Sequence, residues 1–460
     1  MAHNAILWVR EMTRKHIKLG VMVPISGVHY GGWRHPLSQP ERATDIEYYG
    51  EIARKAEAGK LDVIFLADSI ALYEGTAEEQ DRAKHALMRA EPKRLLEPLT
   101  LLSALSTMTR HIGLASTATT TYNEPYTIAR LFASLDHISN GRAGWNVVTS
   151  ANVAEAHNFS RDSHVGHAER YDRAREFMKV ALQLWDSIDD GAFLIDKATG
   201  LYGDEKKVRP INHRGKHFSV RGPLNVPRPP QGHPVIFQAG SSGPGVDLAA
   251  ETADVVFTAQ QTLDSGKRFY SSVKERAAAF GRNKTAPKIM PGIVTYVAGT
   301  EAEAKAKYDL INELVDPEFG LYMLSDLLGG VDLTRYHLDG PLPDEIPASN
   351  GSQSRRDMII NLARRENLTI RQLYQRISGA SGHRTLIGTP ETIVDQMELW
   401  FNESAADGFI VLPPSLPSGL DDFVDLVIPE LQRRKLFRRE YEGTTLRENL
   451  ELPRPANTLS

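Results

Sequence analysis

Hydrogen-bonding side chains gather where apolar runs end. "LDVIFLADS" ends in Asp68 and Ser69, and "IGLAST" ends in Thr117 and leads on to Thr119, Thr120 and Thr121. "AGWNVVTS" carries Asn146 and ends in Thr149 and Ser150. It is followed by Asn152, His157, Asn158 and then His164, His167 and Tyr171. "PVIFQAG" ends in Gln238 and Gly240, with Ser241 and Ser242 next, and "KLGVMVP" is followed by His29, Trp33, Arg34 and His35. Such groups can bind a polar ligand or move a proton. The serines lack a GxSxG elbow, which speaks against a hydrolase triad. "AGSSGPGVDLAAE" is the sharpest local device: small residues pass from a strand into a helix N-terminus. Free backbone N–H groups there, with the hydroxyls of Ser241 and Ser242, suit a phosphate. The same letters also fit a plain turn capped by serine. They form neither a Walker motif nor GxGxxG, which argues against ATP and a conventional NAD fold.

Other candidates stay open on their residue types. Asp68 can accept from a ligand N–H or cap the next helix. His167 and Tyr171 stand at i, i+4 in "HAERYDRAREF" and so share a helix face. That is half of a metal site by spacing, but HExxH is absent and no carboxylate stands at ligand spacing, so a ligand-binding face is the expectation and no metal is expected. His29 and His35, in a Gly-rich loop, are either functional or solvent-exposed and inert.

The elements that must position these groups alternate along the chain. Eight apolar runs read as strands, each separated from the next by at least one helical pattern: "KLGVMVP", "LDVIFLADS", "IGLAST", "AGWNVVTS", "PVIFQAG", "DVVFTA", "KIMPGIVTYVAG" and "DGFIVLPP". Strands that are apolar throughout are buried on both faces, as in parallel sheets covered by helices. Eight such units predict a (β/α)8 TIM barrel, with a doubly wound sheet as the alternative. "TDIEYYGEIARKAEAG" reads as a helix with a Thr44/Glu47 capping box and a stop at Gly59. "EPLTLLSALSTMTR" puts Leu99, Leu102 and Leu105 on one face, and Asn140-Gly141 stops the helix before "AGWNVVTS". A loop-rich stretch is expected over about 191–232. A large insertion is expected before the last strand, at about 316–384, with helices in "RRDMIINLARRENL" and "IRQLYQRI". A C-terminal arm, about 439–460, should lie on the domain or on a partner subunit.

The whole chain sets wider bounds. It has 460 residues, 41% of them hydrophobic and 24% charged, and a net charge of −4, which is ordinary for a globular protein and lacks the basic excess of a nucleic-acid binder. Cysteine is absent, so no disulfide framework or thiolate chemistry is available. The apolar run near the N-terminus is short and holds Lys18, which argues against a signal peptide. No stretch approaches about 18 uninterrupted apolar residues, so no membrane span is expected and a cytoplasmic location is.

"FLADS", "LDHISNGRAGWNVVTSANVAEAHNF", "ERYDRAREF" and "GPLNVPRPPQGHPVIFQAGSS" closely resemble the nitrilotriacetate monooxygenase component A family. This is a branch of the bacterial luciferase-like flavin-dependent monooxygenases that also includes dibenzothiophene-sulfone, EDTA and N-acetyl-S-(2-succino)cysteine monooxygenases. The resemblance runs from the first strand to "YEGTTLRENL". It implies a luciferase-type barrel and a two-component FMN-dependent monooxygenase. A separate NAD(P)H:FMN reductase would supply FMNH2, O2 would be the co-substrate, and a homodimer or homotetramer is expected. Carried over by position, Asp68, Thr117, Asn146, His167, Tyr171, Ser241 and Ser242 are the implied flavin contacts, with Asp68 and Asn146 near the ring and Ser241, Ser242, Tyr171 and His167 at the phosphate. His29 and Trp33 are assigned as catalytic contacts, and Arg34 and His157 as substrate contacts. Arg34 can pair with a substrate carboxylate or with one of the protein's own. Two alternatives stand beside this reading: a flavin- or F420-dependent dehydrogenase on the same barrel, and an aromatic sulfone monooxygenase. A small carboxylated substrate, cleaved at a C–S or C–N bond, is preferred over the sulfone.

Overall fold

The structure is a computed structural model that describes residues 16–73, 76–92, 95–240, 243–283, 285–346, 353–380 and 382–459. The eight expected strands are present: β1 (Lys18–Met22), β2 (Val63–Leu66), β3 (Gly113–Thr119), β4 (Ala143–Val148), β5 (Val235–Ala239), β6 (Val255–Thr258), β7 (Lys288–Val297) and β8 (Gly408–Val411). All pair in parallel with their neighbours, and β8 pairs with β1, so the sheet closes into a barrel. The period of two along each strand explains why the runs are apolar throughout. Val63, Phe65, Ala115, Val235, Phe237, Val255, Met290, Val294 and Ile410 fill the interior. Ile64, Leu66, Leu114, Trp145, Val147, Ile236 and Phe409 face the surrounding helices. Both sets are removed from water, so neither can be polar without a partner. Gly144 has no side chain because a Cβ there would lie 2.8 Å from the Phe237 ring across the interior.

The helix Ile46–Ala58 ends at Gly59 as expected, but its N-cap is Asp45, whose carboxylate accepts from Glu47 N; Thr44 is not the cap. Asp competes well for this position because its side chain reaches the second free N–H of the first turn. Asn140 and Gly141 both take positive φ and turn the chain into β4. The segment expected to be loop holds two small hairpins, Phe193–Asp196 with Leu201–Gly203 and His213–Arg214 with Ser219–Val220. Their strands, of two to four residues, are too short to show a period.

Between β7 and β8 the chain forms helices Glu301–Glu313, Pro317–Leu327, Gln353–Arg365 and Ile370–Ser378, then a ninth strand, Arg384–Gly388, laid on the distal half of β7. Helices Pro317–Leu327, Gln353–Arg365 and Ile370–Ser378 share a small core of their own that includes Leu324, Leu333, Ile359, Leu373 and Tyr374. The C-terminal segment docks on the same chain. Leu446, Leu450 and Leu452 belong to the interior cluster. A Cβ on Gly113 at the start of β3 would meet Leu446 Cδ1 at 2.4 Å, so this segment stoppers the N-terminal end of the barrel. Arg447 fixes it there, bonding Asp254 at 2.7 Å and the His233 carbonyl at 2.9 Å. With that end closed, a ligand enters at the C-terminal ends of the strands. Among the described residues no helix is long and apolar enough to cross a membrane.

Candidate active site

A cavity of about 390 Å³ opens at the C-terminal ends of β2–β5. Asp68 and Ser69 come from the end of β2, Thr117 and Thr119 from β3, and Val147 to Asn152 from the end of β4 and its loop. Gln238 and Ala239 end β5, Tyr171 comes from the helix His167–Trp185, and Gly245 and Leu248 come from the first turns of the helix Gly243–Thr252.

Thr117 and Asn146 face each other across β3 and β4 and point into the barrel, in phase with Ala115 and Gly144. Asn146 Nδ2 donates to Thr117 Oγ1 at 2.8 Å. The Asn146 amide oxygen is buried and has no hydrogen-bond partner, and the same holds for Gln238 Oε1 and Glu155 Oε2. Unsatisfied buried acceptors cost about 1–3 kcal/mol each and are rare away from functional sites. Gln238 and Glu155 line the cavity and Asn146 adjoins it through Thr117, so these acceptors suit a ligand with N–H or O–H groups.

The rim of β3 and β4 is held by hydroxyls. Thr119 Oγ1 and Ser150 Oγ lie 2.8 Å apart, Thr121 N donates to Thr119 Oγ1, and Ser150 N donates to Thr121 Oγ1. The loop after β4 is tied to the loop after β2. Ser69 Oγ donates to Glu155 Oε1 at 2.9 Å, and Asn158 Nδ2 donates to the Ile70 carbonyl at 2.8 Å. His164 pins the far end of the loop: its ring nitrogens lie 2.6 Å from the Tyr122 hydroxyl and 3.0 Å from the Ser150 carbonyl. Only a ring protonated at Nε2 can donate to that carbonyl and leave Nδ1 to accept from Tyr122. Burial, helped by the Arg170 guanidinium, lowers the His164 pKa from its ordinary 6.5, which favours this neutral form.

Asp68, Thr117 and Tyr171 line the cavity, and Asn146 joins them through Thr117. His167 is exposed, its ring 5.0 Å from that of Tyr171, as the i, i+4 spacing requires. Ser241 and Ser242 lie outside the described residues. The helix that follows them begins at Gly243 and presents Gly245 and Leu248 to the cavity. His157 is exposed on the one-turn helix Ala154–His157, whereas Glu155 of the same turn is buried and lines the cavity.

The group after β1 lies elsewhere. His29 is fully buried. Its Nδ1 accepts from Gly31 N at 3.0 Å, its Nε2 lies 3.2 Å from Asn312 Oδ1, and its ring is so close to Gly379 that a Cβ there would meet Cδ2 at 2.6 Å. Trp33 is half-buried on the 3-10 turn Gly32–Arg34. Arg34 is exposed and donates to the Leu314 carbonyl at 2.9 Å. Residue pattern did not single out Glu155, although it is the one acid in "ANVAEAHNF" and sits among Ala151, Val153, Ala154 and Ala156. A carboxylate in so apolar a stretch was the available signal. Among the described residues, no group of three or more His, Cys, Asp or Glu side chains could hold a metal ion.

A closed parallel barrel with its polar cavity at the C-terminal strand ends suits many enzymes, and comparison with known proteins narrows the choice. The model of the family described as "Luciferase-like monooxygenase" matches residues 27–408. The chain belongs to that family. This luciferase-like monooxygenase is 68% identical over 446 residues to nitrilotriacetate monooxygenase component A of Aminobacter aminovorans, covering 97% of the chain and 98% of the relative. It is 50% identical over 445 residues to N-acetyl-S-(2-succino)cysteine monooxygenase of Bacillus subtilis (strain 168), covering 96% and 98%. Among solved structures it resembles a riboflavin lyase crystallised with modified FMN and riboflavin, with a TM-score of 0.80, 30% identity, and 95% and 96% of the two chains covered. The luciferase-like monooxygenase is thus an oxidoreductase on a TIM barrel, with relatives named for oxygenation of small organic compounds.

Proposed function

We propose that this chain is the oxygenase component of a two-component, FMNH2-dependent monooxygenase that oxygenates a small carboxylated substrate at or next to a C–S or C–N bond. The observation that carries the reading is the set of buried, unpartnered acceptors, Gln238 Oε1 and Glu155 Oε2 in the wall and Asn146 Oδ1 next to wall residue Thr117, at a cavity that runs from the barrel mouth to a helix N-terminus. A flavin mononucleotide suits that shape, because it carries ring N–H and ribityl O–H donors at one end and a phosphate at the other. Asp68, Thr117 and Asn146 would hold the ring. Tyr171, His167, Ser241, Ser242 and the N-terminus of the helix Gly243–Thr252 would hold the phosphate.

When bound, reduced FMN supplies the two electrons that activate O2, so that one oxygen atom enters the substrate and the other leaves as water. The chain's own residues orient and enclose. The Ser69–Glu155 and Asn158–Ile70 bonds close the β4 loop over the cavity and keep bulk water out. Hydroxylation of a carbon bonded to nitrogen or sulfur gives a carbinolamine or hemithioacetal, which then breaks into a carbonyl compound and an amine or thiol. His29 and Trp33 are proposed to act from the β1 loop, His29 by bracing that loop against Asn312 and Gly379. Arg34 and His157, both exposed, are proposed to meet the substrate on its way in. The partner would be an NAD(P)H:FMN reductase, the assembly a homodimer or homotetramer, and the location the cytoplasm.

The test is a reductase-coupled assay under ¹⁸O₂ with nitrilotriacetate, EDTA, S-succinylcysteine derivatives and dibenzothiophene sulfone, read by mass spectrometry. The reading expects O2 consumption only with NAD(P)H, reductase and FMN together, and label in the product of a carboxylated substrate. Turnover with reduced F420 but not FMN would favour the deazaflavin alternative, and label only in the sulfone product would move the substrate class.

A further inference from the structure

The hairpin Phe193–Asp196 with Leu201–Gly203 stands at the floor end of the barrel, away from the cavity. The helix before it, His167–Trp185, starts at the cavity with Tyr171 and ends at the floor, where Asp186 lies 2.9 Å from His233, just before β5. The base of the hairpin is fixed. Arg454 donates to Asp190 at 2.7 Å, and Asn457 Nδ2 donates to Asp189 at 2.7 Å, so the C-terminal segment that stoppers the floor also holds this base. Ala192 is buried at the root, and its carbonyl accepts from Asp204 N at 2.8 Å. Beyond the root nothing covers the strands. Phe193–Asp196 are all exposed, and so are Leu201 and Tyr202. A strand with one face on its own domain alternates between buried and exposed. This one does not alternate, so neither face rests on the barrel.

What the hairpin exposes is apolar. Phe193, Leu194, Ile195, Leu201 and Tyr202 each leave between 38% and 66% of their surface in water. The Phe193 and Tyr202 rings lie 5.6 Å apart, which joins the two strands into one patch. At about 150–250 Å² for a fully exposed side chain of this size, the patch amounts to roughly 500 Å². A contiguous apolar patch that large commonly marks an interaction site. The two strands form a sheet of their own, so each has an open edge, and two strands alone are marginally stable in water. Ile195 adds a second sign, because its φ is +51°. A β-branched residue is strained there and Gly or Asn is not. Such strain is characteristic of functional positions, and here the strained residue is an exposed isoleucine.

We propose that this hairpin is a self-association surface, which packs on the same hairpin of a second copy of this chain about a two-fold axis. Two such patches bury roughly 1,000 Å², the lower bound for a specific interface. The charges permit it. The segment 193–207 carries Asp196, Asp204 and Glu205 against Lys197, Lys206 and Lys207. An identical segment therefore meets no field of its own sign, and the acids of one copy can face the lysines of the other. Open edges on both copies allow the two sheets to join. The contact lies at the floor ends of both barrels and leaves both cavities open. The inference gives the proposed homodimer or homotetramer a surface, and rests on that assembly but not on the flavin reading.

The test is analytical ultracentrifugation of the full-length protein over a concentration series, for wild type, Ile195→Asn and the double variant Leu194→Asp with Tyr202→Asp. These side chains are exposed in the single chain, so each variant should fold, which circular dichroism checks; Ile195→Asn also relieves strained backbone. Reduced-FMN affinity is measured on each protein under anaerobic conditions. The absence of cysteine from the chain allows a second measurement. Ala198→Cys at the exposed tip and, as a control, Arg335→Cys on the exposed surface of the insertion are each treated with a short bis-maleimide. The proposal expects a wild type of two copies or more. It expects self-association to weaken by about tenfold or more in the variants, with the mass falling to half and FMNH2 affinity within twofold of wild type. Ala198→Cys should cross-link in pairs and Arg335→Cys should not. Unchanged mass in both variants, or no cross-link through position 198, overturns the surface and leaves the assembly standing. A monomeric wild type overturns both. Loss of FMNH2 binding by wild type would sink the monooxygenase reading and leave the association result untouched.

Discussion

Replacing Asn146 by alanine separates ligand binding from folding, because the two halves of its amide do different things. The Nδ2 group makes one neutral bond to Thr117 Oγ1, at 2.8 Å. Losing such a bond costs about 0.5–1.5 kcal/mol. The Oδ1 atom is buried and unpartnered, so its removal relieves a penalty of about 1–3 kcal/mol in the flavin-free protein. The opposing effects nearly cancel, and flavin-free Asn146→Ala should melt within a few degrees of wild type. Binding should respond differently. If Oδ1 accepts from the flavin ring, the variant leaves that donor unpaired in a closed site, at about 1–3 kcal/mol or roughly 5- to 150-fold in Kd. The assay pairs thermal unfolding without flavin with anaerobic fluorescence titration by FMNH2. A variant that melts far below wild type yet keeps its FMNH2 affinity would refute the reasoning, because Asn146 would then serve the barrel and not the ligand.

Other outcomes follow from the same contacts. Glu155→Ala frees Ser69 and loosens the β4 loop, so a larger share of the O2 consumed in a reductase-coupled assay should emerge as H2O2; unchanged coupling would remove this residue from the closure of the site. His164 should give loop closure a pH dependence. Its pKa is lower folded than the ordinary 6.5, so the unfolded loop binds more protons in the window between the two values and stability rises with pH through it. Protection of the 150–166 amides, taken relative to their intrinsic exchange rates, should fall as pH falls below about 6.5 in wild type, and His164→Gln should flatten that dependence. Arg447→Met breaks a largely buried pair and leaves Asp254 with Ile236 N and the more distant Arg282, so it should lower stability by about 3 kcal/mol in denaturant titration; a loss under about 1 kcal/mol would mean the C-terminal segment is not what closes the barrel floor.

The barrel was legible in the sequence because every strand is covered on both faces, and eight uninterrupted apolar runs leave little else to build. The helix stops were legible where chemistry is local, as at Asn140-Gly141, where positive φ favours these residues. The ninth strand, Arg384–Gly388, escaped notice because three of its five residues are only partly buried and it has no period of its own. Its partner is the overlong β7, which only the folded chain brings alongside. In the site, strand-end residues such as Asp68 and Thr117 could be read in order along the chain. Glu155 could not, because what makes it notable is the approach of Ser69 from 86 positions away. The placement of His29 was hidden for the same reason: Asn312 and Gly379 reach it from the far side of the insertion's first turn and from its end.

The central claim, that the cavity at the ends of β2–β5 is the seat of reduced FMN, is tested most directly by a crystal structure of the protein soaked with FMNH2 under anaerobic conditions. The account predicts the ring across the barrel mouth within hydrogen-bond reach of Asn146 and the phosphate at the N-terminus of Gly243–Thr252. A flavin bound anywhere else on the chain, or a β2–β5 cavity that stays empty at saturating FMNH2, would contradict it.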